Sequence, residues 1–441
     1  MLKTTLNYTL QKLALPWKNS LYRNSIYLIT GNTISAISGF AFWAFATRYY
    51  SATEVGIASA VVSAMQLIAV LGTLGLQVGI IRYLPNFKER GNALINSIFT
   101  LAILVSIIFS IGFVFGSSIW SPNLIFLKEN LPYSILFICF TAATVLSMLL
   151  DNIFIANRRA GLTTIKNLFF DLPKFILLII VSLFLKQFGI IVSWGISLLI
   201  SSAIAIFYFL PGVQYGYKPR ANFKWNEITE LIKYSQLNNI SIFIINITIR
   251  LLPIFLLNLR GPEELAYFYI PWVIICSLSV IPYSISSSLL AEASHDENNV
   301  MHLTMRSLGL TMLFLVPVIV IGIIFASRIL SLFGPEYARN ADVLFQVLML
   351  SLLPNAIYTV YSSFLRIRKS LLTLIILAAL SAIVTFLISY WLLPLMSILG
   401  VGIGYLVGQL IIVFCIIYKE RRFRLSRNIL SGVFRSISDK V

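Results

Sequence analysis

Arg250 stands about 16 residues into the apolar run 234–257, a setting in which a charge is costly unless it meets water or a partner. At about 100° per residue, Ser235, Asn239, Asn246 and Arg250 share an arc of about 60° on one helix face. This polar stripe ends in a guanidinium. It either lines an internal cavity or seats the arginine against a buried carboxylate or carbonyl. Pro253 follows three residues later and cannot donate to the Ile249 carbonyl, so a bend is expected beside the arginine. The other charges inside apolar runs are Asp151, Lys166, Asp171 and Lys174. Asp171 and Lys174 are helix neighbours that can pair, and Lys166 is close enough to a membrane end to snorkel. The two aspartates are also the candidates for binding a coupling ion. Arg48 and Arg82 close the first two runs at opposite ends, as snorkelling anchors.

Other chemistries lack their residues. The chain has no Gly-Lys dipeptide, so no phosphate-cradling ATPase loop is present. Gly400, Gly402, Gly404 and Gly408 open an apolar helix instead of following a strand; Gly400, Gly404 and Gly408 make a smooth face for helix contact. Cys139, Cys276 and Cys415 each sit alone in an apolar run and read as packing. Glu292, His295, Asp296, Glu297 and His302 read as a solvated loop, not a metal cluster. No catalytic triad or carboxylate pair stands out. The sequence predicts a non-enzyme without cofactor or metal.

The elements that position these residues follow from composition. Of 441 residues, 59% are hydrophobic and 11% charged, against about one quarter charged in soluble domains. Twelve apolar runs are long enough to cross a bilayer: 24–47, 55–82, 93–115, 132–156, 161–185, 188–210, 234–257, 264–290, 303–326, 343–365, 371–393 and 398–418. With an even number of spans both termini share one side, and 24 of the 33 Lys and Arg fall on that side. The positive-inside rule makes it the cytoplasm of a cell-membrane protein. The formal charge of +17 is therefore topology, not a nucleic-acid footprint. The basic N-terminal segment lacks the features of a signal peptide and is expected to stay on the protein.

Sliding the chain by 210 residues superposes Leu21, Arg23 and Ser25 on Leu231, Lys233 and Ser235, and Glu54 on Glu264. The same register places Phe154, Arg158 and Arg159 on Phe364, Arg368 and Lys369, whereas Arg250 falls on Phe40. A parallel six-plus-six repeat of this kind predicts two like bundles around a central cavity, rocking to expose it to either side. The fold class expected is an all-α polytopic membrane protein of about twelve transmembrane helices. Its parts would be a basic arm (1–23), an N-terminal bundle (24–211), a cytoplasmic linker (212–233), a C-terminal bundle (234–418) and a basic tail (419–441). Pro253, Pro271, Pro282, Pro317 and Pro354 interrupt helices of the second half, which is expected to be the more mobile.

The segment Arg48-Tyr-Tyr-Ser-Ala-Thr-Glu54-Val-Gly56, with Leu71-Gly72-Thr-Leu-Gly75 and Gly79-Ile-Ile-Arg82-Tyr-Leu-Pro85, resembles the start of polysaccharide-biosynthesis flippases. Phe333-Gly334-Pro335-Glu336-Tyr337 and Leu392-Leu393-Pro394 with Gly400 are similar to later signposts of the same family. These proteins belong to the multidrug/oligosaccharidyl-lipid/polysaccharide exporter superfamily. The resemblance implies a positively charged cavity and export of a polyprenyl-diphosphate-linked oligosaccharide from the inner to the outer leaflet. Arg250, with Asn246, Asn239, Arg82 and Arg48, would then meet diphosphate and sugar by charge-assisted and neutral hydrogen bonds. Membrane lipids and glycosyltransferase or glycan-polymerase machinery are the implied partners. An inside-negative potential would favour outward movement of two negative charges, at about 2.3 kcal/mol per charge per 100 mV. The alternatives are a cation-coupled multidrug exporter of the same superfamily, with Asp151 or Asp171 as its carboxylate, and an intramembrane glycan-processing enzyme.

Overall fold

The computed structural model describes residues 20–86, 91–182, 188–293, 300–368 and 370–438, and among these all regular structure is helical. In chain order the first helices are α1 (Ser20–Tyr49), α2 (Ala52–Gly72), α3 (Leu76–Tyr83), α4 (Gly91–Trp120), α5 (Leu131–Ala156), α6 (Ala160–Ser182) and α7 (Gly189–Ile204). They are followed by α8 (Trp225–Arg260), α9 (Pro262–Leu278), α10 (Val280–Ala293), α11 (Val300–Ile324), α12 (Pro335–Ile367), α13 (Leu371–Met396) and α14 (Ile398–Ser438). Ten helical stretches among the described residues are long and apolar enough to cross a membrane. The chain is a multi-pass membrane protein. The two other expected spans are also helical: α1 covers 24–47, and α6, which covers most of 161–185, carries Lys166, Asp171 and Lys174.

Two expected spans are each built from two helices. The run 55–82 breaks between α2 and α3, where Leu74 (φ 49°) and Gly75 (φ 74°) take left-handed backbone. Glycine accepts that conformation without a Cβ clash, and leucine holds it at a cost. The run 264–290 breaks at Ser279, between α9 and α10. By contrast α8 continues as helix through Pro253. After α7 the backbone loosens into a π-helical turn, Ala205–Phe209.

Local chemistry fixes several ends. Ser51 caps α2 in a reciprocal box: its Oγ accepts from the Glu54 N–H (3.3 Å), and Glu54 Oε2 accepts from the Ser51 N–H (2.8 Å). Glu54 and Glu264 both lie in first helical turns, and α2 and α9 begin at matching positions of the repeat, Ala52 and Pro262. After α5, Arg158 is left-handed (φ 57°) and the Arg159 N–H returns to the Phe154 carbonyl (2.8 Å), a Schellman closure. The same six-residue bond recurs after α12, from the Ser370 N–H to the Leu365 carbonyl (2.8 Å).

The described chain packs as two compact units: residues up to Val280 with Ser327–Asp342, and Ile281–Ala326 with the residues from Val343 onward. This division by packing falls later than the 212–233 linker. In the first unit Leu76, Ile80, Leu94, Ile98, Leu149 and Phe154 form a buried core. There α2 and α9 approach so closely that a Cβ on Gly56 would lie 1.7 Å from the Pro262 carbonyl oxygen. In the second unit the glycine face expected on α14 packs on α13. Cβ atoms at Gly404 and Gly408 would fall 2.3 Å from Ser389 Oγ and 2.2 Å from Thr385 Oγ1.

Residues 214–224 are held against α4 side chain by side chain. Asn96 Nδ2 donates to the Lys218 carbonyl (3.0 Å), and the Tyr217 hydroxyl (2.8 Å) and Arg220 N–H (3.4 Å) donate to Asn96 Oδ1. The Asn222 N–H reaches Thr100 Oγ1 (3.3 Å) and the Lys224 N–H reaches Ser97 Oγ (3.2 Å). Tyr217 is buried, and that burial raises its phenol above the ordinary tyrosine range.

Candidate functional site

A cavity of about 410 Å³ opens within the first unit, walled by residues of α1, α2, α7, α8, α9 and the start of α10. Arg250 lines it from α8. Asn32 and Ser35 of α1, Ser63 and Gln66 of α2 and Ser277 of α9 supply neutral polar groups. Trp43, Trp194, Tyr269 and Trp272 supply aromatic walls, with Trp43 and Tyr269 edge to face at 4.9 Å. Arg250 is the one charged residue among the described residues that line this space.

The guanidinium is oriented by the preceding helical turn. Arg250 Nη1 donates to Asn246 Oδ1 at 2.6 Å and to the Asn246 carbonyl at 3.4 Å. Its Nε is buried and finds no hydrogen-bond partner among the described residues. The two settings left open for Arg250 coincide: it lines the cavity wall and donates to a carbonyl and a side-chain amide oxygen of Asn246, with a neutral asparagine in place of a carboxylate. A guanidinium held this way keeps its charge for an incoming anion, and a planar fork suits phosphate oxygens.

The Asp171–Lys174 pair stands immediately behind the wall. The two side chains form the expected ion pair, and the cavity residue Ser35 donates from Oγ to Asp171 Oδ2 at 3.2 Å. Lys174 Nζ lies 4.7 Å from the centroid of Phe170, 5.4 Å from Phe42 and 5.5 Å from Trp194, itself a wall residue. Lys166 does not snorkel. It is 1% exposed and pairs with Asp151 on α5 at 2.7 Å, while also donating to Ser147 Oγ (2.7 Å) and the Ser147 carbonyl (3.0 Å). A carboxylate and two oxygens within α5 satisfy the ammonium more fully than a reach to the interface would.

Arg48 is placed elsewhere. It is exposed and donates from Nε (3.3 Å) and Nη2 (3.1 Å) to the Leu332 carbonyl, fastening the segment after the short helix Ala326–Ser331. It is not among the cavity residues. Arg82 lies on α3 and Asn239 on α8, but both side chains fall outside the described residues, as does His295. The expected acidic loop therefore has no structural account, and no metal-binding cluster occurs among the described residues. The aromatic wall was not anticipated, because Trp43, Tyr269 and Trp272 sit in apolar runs where a core ring and a wall ring look alike.

Residues 21–288 match the family model described as polysaccharide biosynthesis protein. The chain belongs to that family. A curated relative, a putative O-antigen transporter of Shigella flexneri, is 28% identical over 123 residues, which are 27% of this chain and 29% of that relative. The match thus spans less than one third of the relative's length. Among solved structures the chain is similar to the lipid II flippase MurJ in an inward closed conformation (TM-score 0.67, 16% identity, 90% of this chain and 87% of that one). It is likewise similar to an inward-facing multidrug resistance MATE transporter of the MOP superfamily (TM-score 0.63, 16% identity, 91% and 94%). A MOP superfamily transporter from Pyrococcus furiosus, whose binding pocket is described as of reverse polarity, matches at TM-score 0.63 with 13% identity over 92% and 95%. This family member therefore has the fold of the superfamily that the sequence motifs resemble.

Proposed function

We propose that the protein exports a polyprenyl-diphosphate-linked oligosaccharide from the cytoplasmic to the outer leaflet by alternating access. The observation that carries this reading is the lone guanidinium in an aromatic-walled cavity. Arg250 meets the diphosphate, Asn246 fixes the fork, and Trp43, Tyr269 and Trp272 offer faces and edges to sugar rings beside neutral hydrogen-bonding groups. A cavity whose charged lining is a single arginine repels a cation, which weighs against a cationic drug as cargo. The ion pairs Asp171–Lys174 and Asp151–Lys166 position helices and are not the seat of substrate binding. The potential of an inside-negative membrane drives the charge outward, in a cell membrane with both termini cytoplasmic. Glycosyltransferase or polymerase machinery supplies and consumes the cargo.

The test is complementation in cells lacking their own flippase. Arg250→Ala is expected to abolish surface glycan while protein remains in the membrane, and Arg250→Lys to keep part of the output. Normal glycan from the alanine variant would remove Arg250 from the mechanism. In proteoliposomes, collapsing the membrane potential should slow translocation; an unchanged rate would eliminate the electrical drive.

A further inference from the structure

A second cavity of about 410 Å³ lies in the first unit, remote in sequence from the Arg250 site and sharing none of its lining residues. Its floor is apolar: Phe99, Ile103 and Leu104 of α4, Leu146 of α5 and Ile206 of the π-helical turn. Its rim is the 214–224 segment, which contributes Tyr217, Pro219 and the exposed Arg220. Lys218, also exposed, is two residues from Arg220. From Asn96 at the rim to Leu104 at the deep end, α4 rises about 12 Å. The slot is thus a narrow apolar trough with a cationic lip.

The lip is a fixed structure, and the trough beside it is open. Asn96 holds the segment through the Lys218 carbonyl, the Tyr217 hydroxyl and the Arg220 N–H. These bonds use the backbone of Lys218 and Arg220, so both charged side chains are left for another partner. Ile206, which lines the slot, belongs to the π-helical turn Ala205–Phe209 that follows α7; such turns recur at functional sites. Leu104 is half exposed (51%), so the trough reaches the lipid-facing surface of α4.

We propose that this trough binds one anionic glycerophospholipid of the bilayer, an acyl chain along Phe99–Leu104 and the phosphate against Arg220. An apolar trough alone would accept any chain. The basic lip selects charge, since a basic residue near an anionic surface contributes about 1 kcal/mol. The bound lipid ties the segment before α8 to the membrane surface.

The purified full-length protein, exchanged into palmitoyl-oleoyl phosphatidylglycerol or phosphatidylcholine, should retain phosphatidylglycerol about fivefold better in native mass spectrometry. Arg220→Gln leaves every described bond of the segment in place, because only the Arg220 N–H is used, and should erase that preference. Ile103→Trp, which fills the trough, should remove retention of both lipids, whereas Leu387→Trp on the exposed side of α13 should not. A photoreactive group at the acyl-chain end should label 99–104, Leu146 or Ile206. Equal retention of the two headgroups, a preference that survives Arg220→Gln, or labelling spread over all helices would overturn the proposal. Displacement of phosphatidylglycerol by a polyprenyl phosphate would also overturn it, making the trough a seat for the cargo's tail.

Discussion

Two cations of the first unit, the buried Lys174 and the half-buried Arg250, lie near one cavity and are treated in opposite ways. Lys174 is enclosed, with a carboxylate on its own helix and aromatic rings around it. Arg250 faces open space, with an asparagine as its described partner and a buried Nε that has none. A charge that is neutralised in place and ringed by neighbouring helices supports packing, whereas a charge left short of partners at a cavity wall can take a further one.

The comparison breaks most readily at Lys174. Lys174→Met leaves Asp171 buried with the Ser35 hydroxyl as its remaining described donor, and losing one member of a buried pair costs about 3–5 kcal/mol. Thermal unfolding in detergent should show that loss, and the double variant Asp171→Asn/Lys174→Met should recover most of it. A single variant as stable as the parent would mean the pair is not structural. Next in size, Asn246→Ala frees the guanidinium to rotate. Loss of one charge-assisted hydrogen bond, about 1.5–3 kcal/mol, should reduce translocation at least tenfold in proteoliposomes, with a smaller fall in melting temperature than Lys174→Met shows. The smallest effect sharpens the contrast: Arg250→Met should leave stability unchanged or slightly raised, because no ion pair is lost. A melting temperature depressed as far as that of Lys174→Met would place Arg250 with the structural charges.

Outside the cavity, Tyr217→Phe removes the hydroxyl bond to Asn96, worth about 1 kcal/mol, and should raise hydrogen exchange in 214–224. Because burial raises the folded phenol's titration, the stability it contributes is fully present below about pH 10, the unfolded value. It declines as pH rises from there through the raised folded value. Protection of 214–224 should fall over that alkaline range in the parent and not in Tyr217→Phe.

Much of this was legible in the sequence because a membrane imposes simple rules. Apolar run length gave the helices, and the spacing of Gly400, Gly404 and Gly408 gave the face that α14 turns to α13. The Asp171–Lys174 pair and the Asn246–Arg250 contact are local, three and four residues apart, and so could be read from helical spacing. Contacts between helices could not. Asp151 and Lys166 meet across the turn that joins α5 to α6, and nothing in either neighbourhood signals the pairing. The breaks at Leu74–Gly75 and Ser279 were hidden inside continuous apolar runs, where hydropathy is blind to backbone angle. The side-chain bonds from α4 to residues 214–224 join stretches with three helices between them in the chain.

The loops after α5 and α12 close with the same six-residue hydrogen bond, one in each half of the repeat. The second bond stands one residue beyond the 210-residue register, so the two halves keep the type of closure and not its exact position. Arg250 has no such twin, since its counterpart in the repeat is Phe40. The charge of the cavity is thus carried by one half alone. A search for what selects the cargo would begin with the differences between the halves.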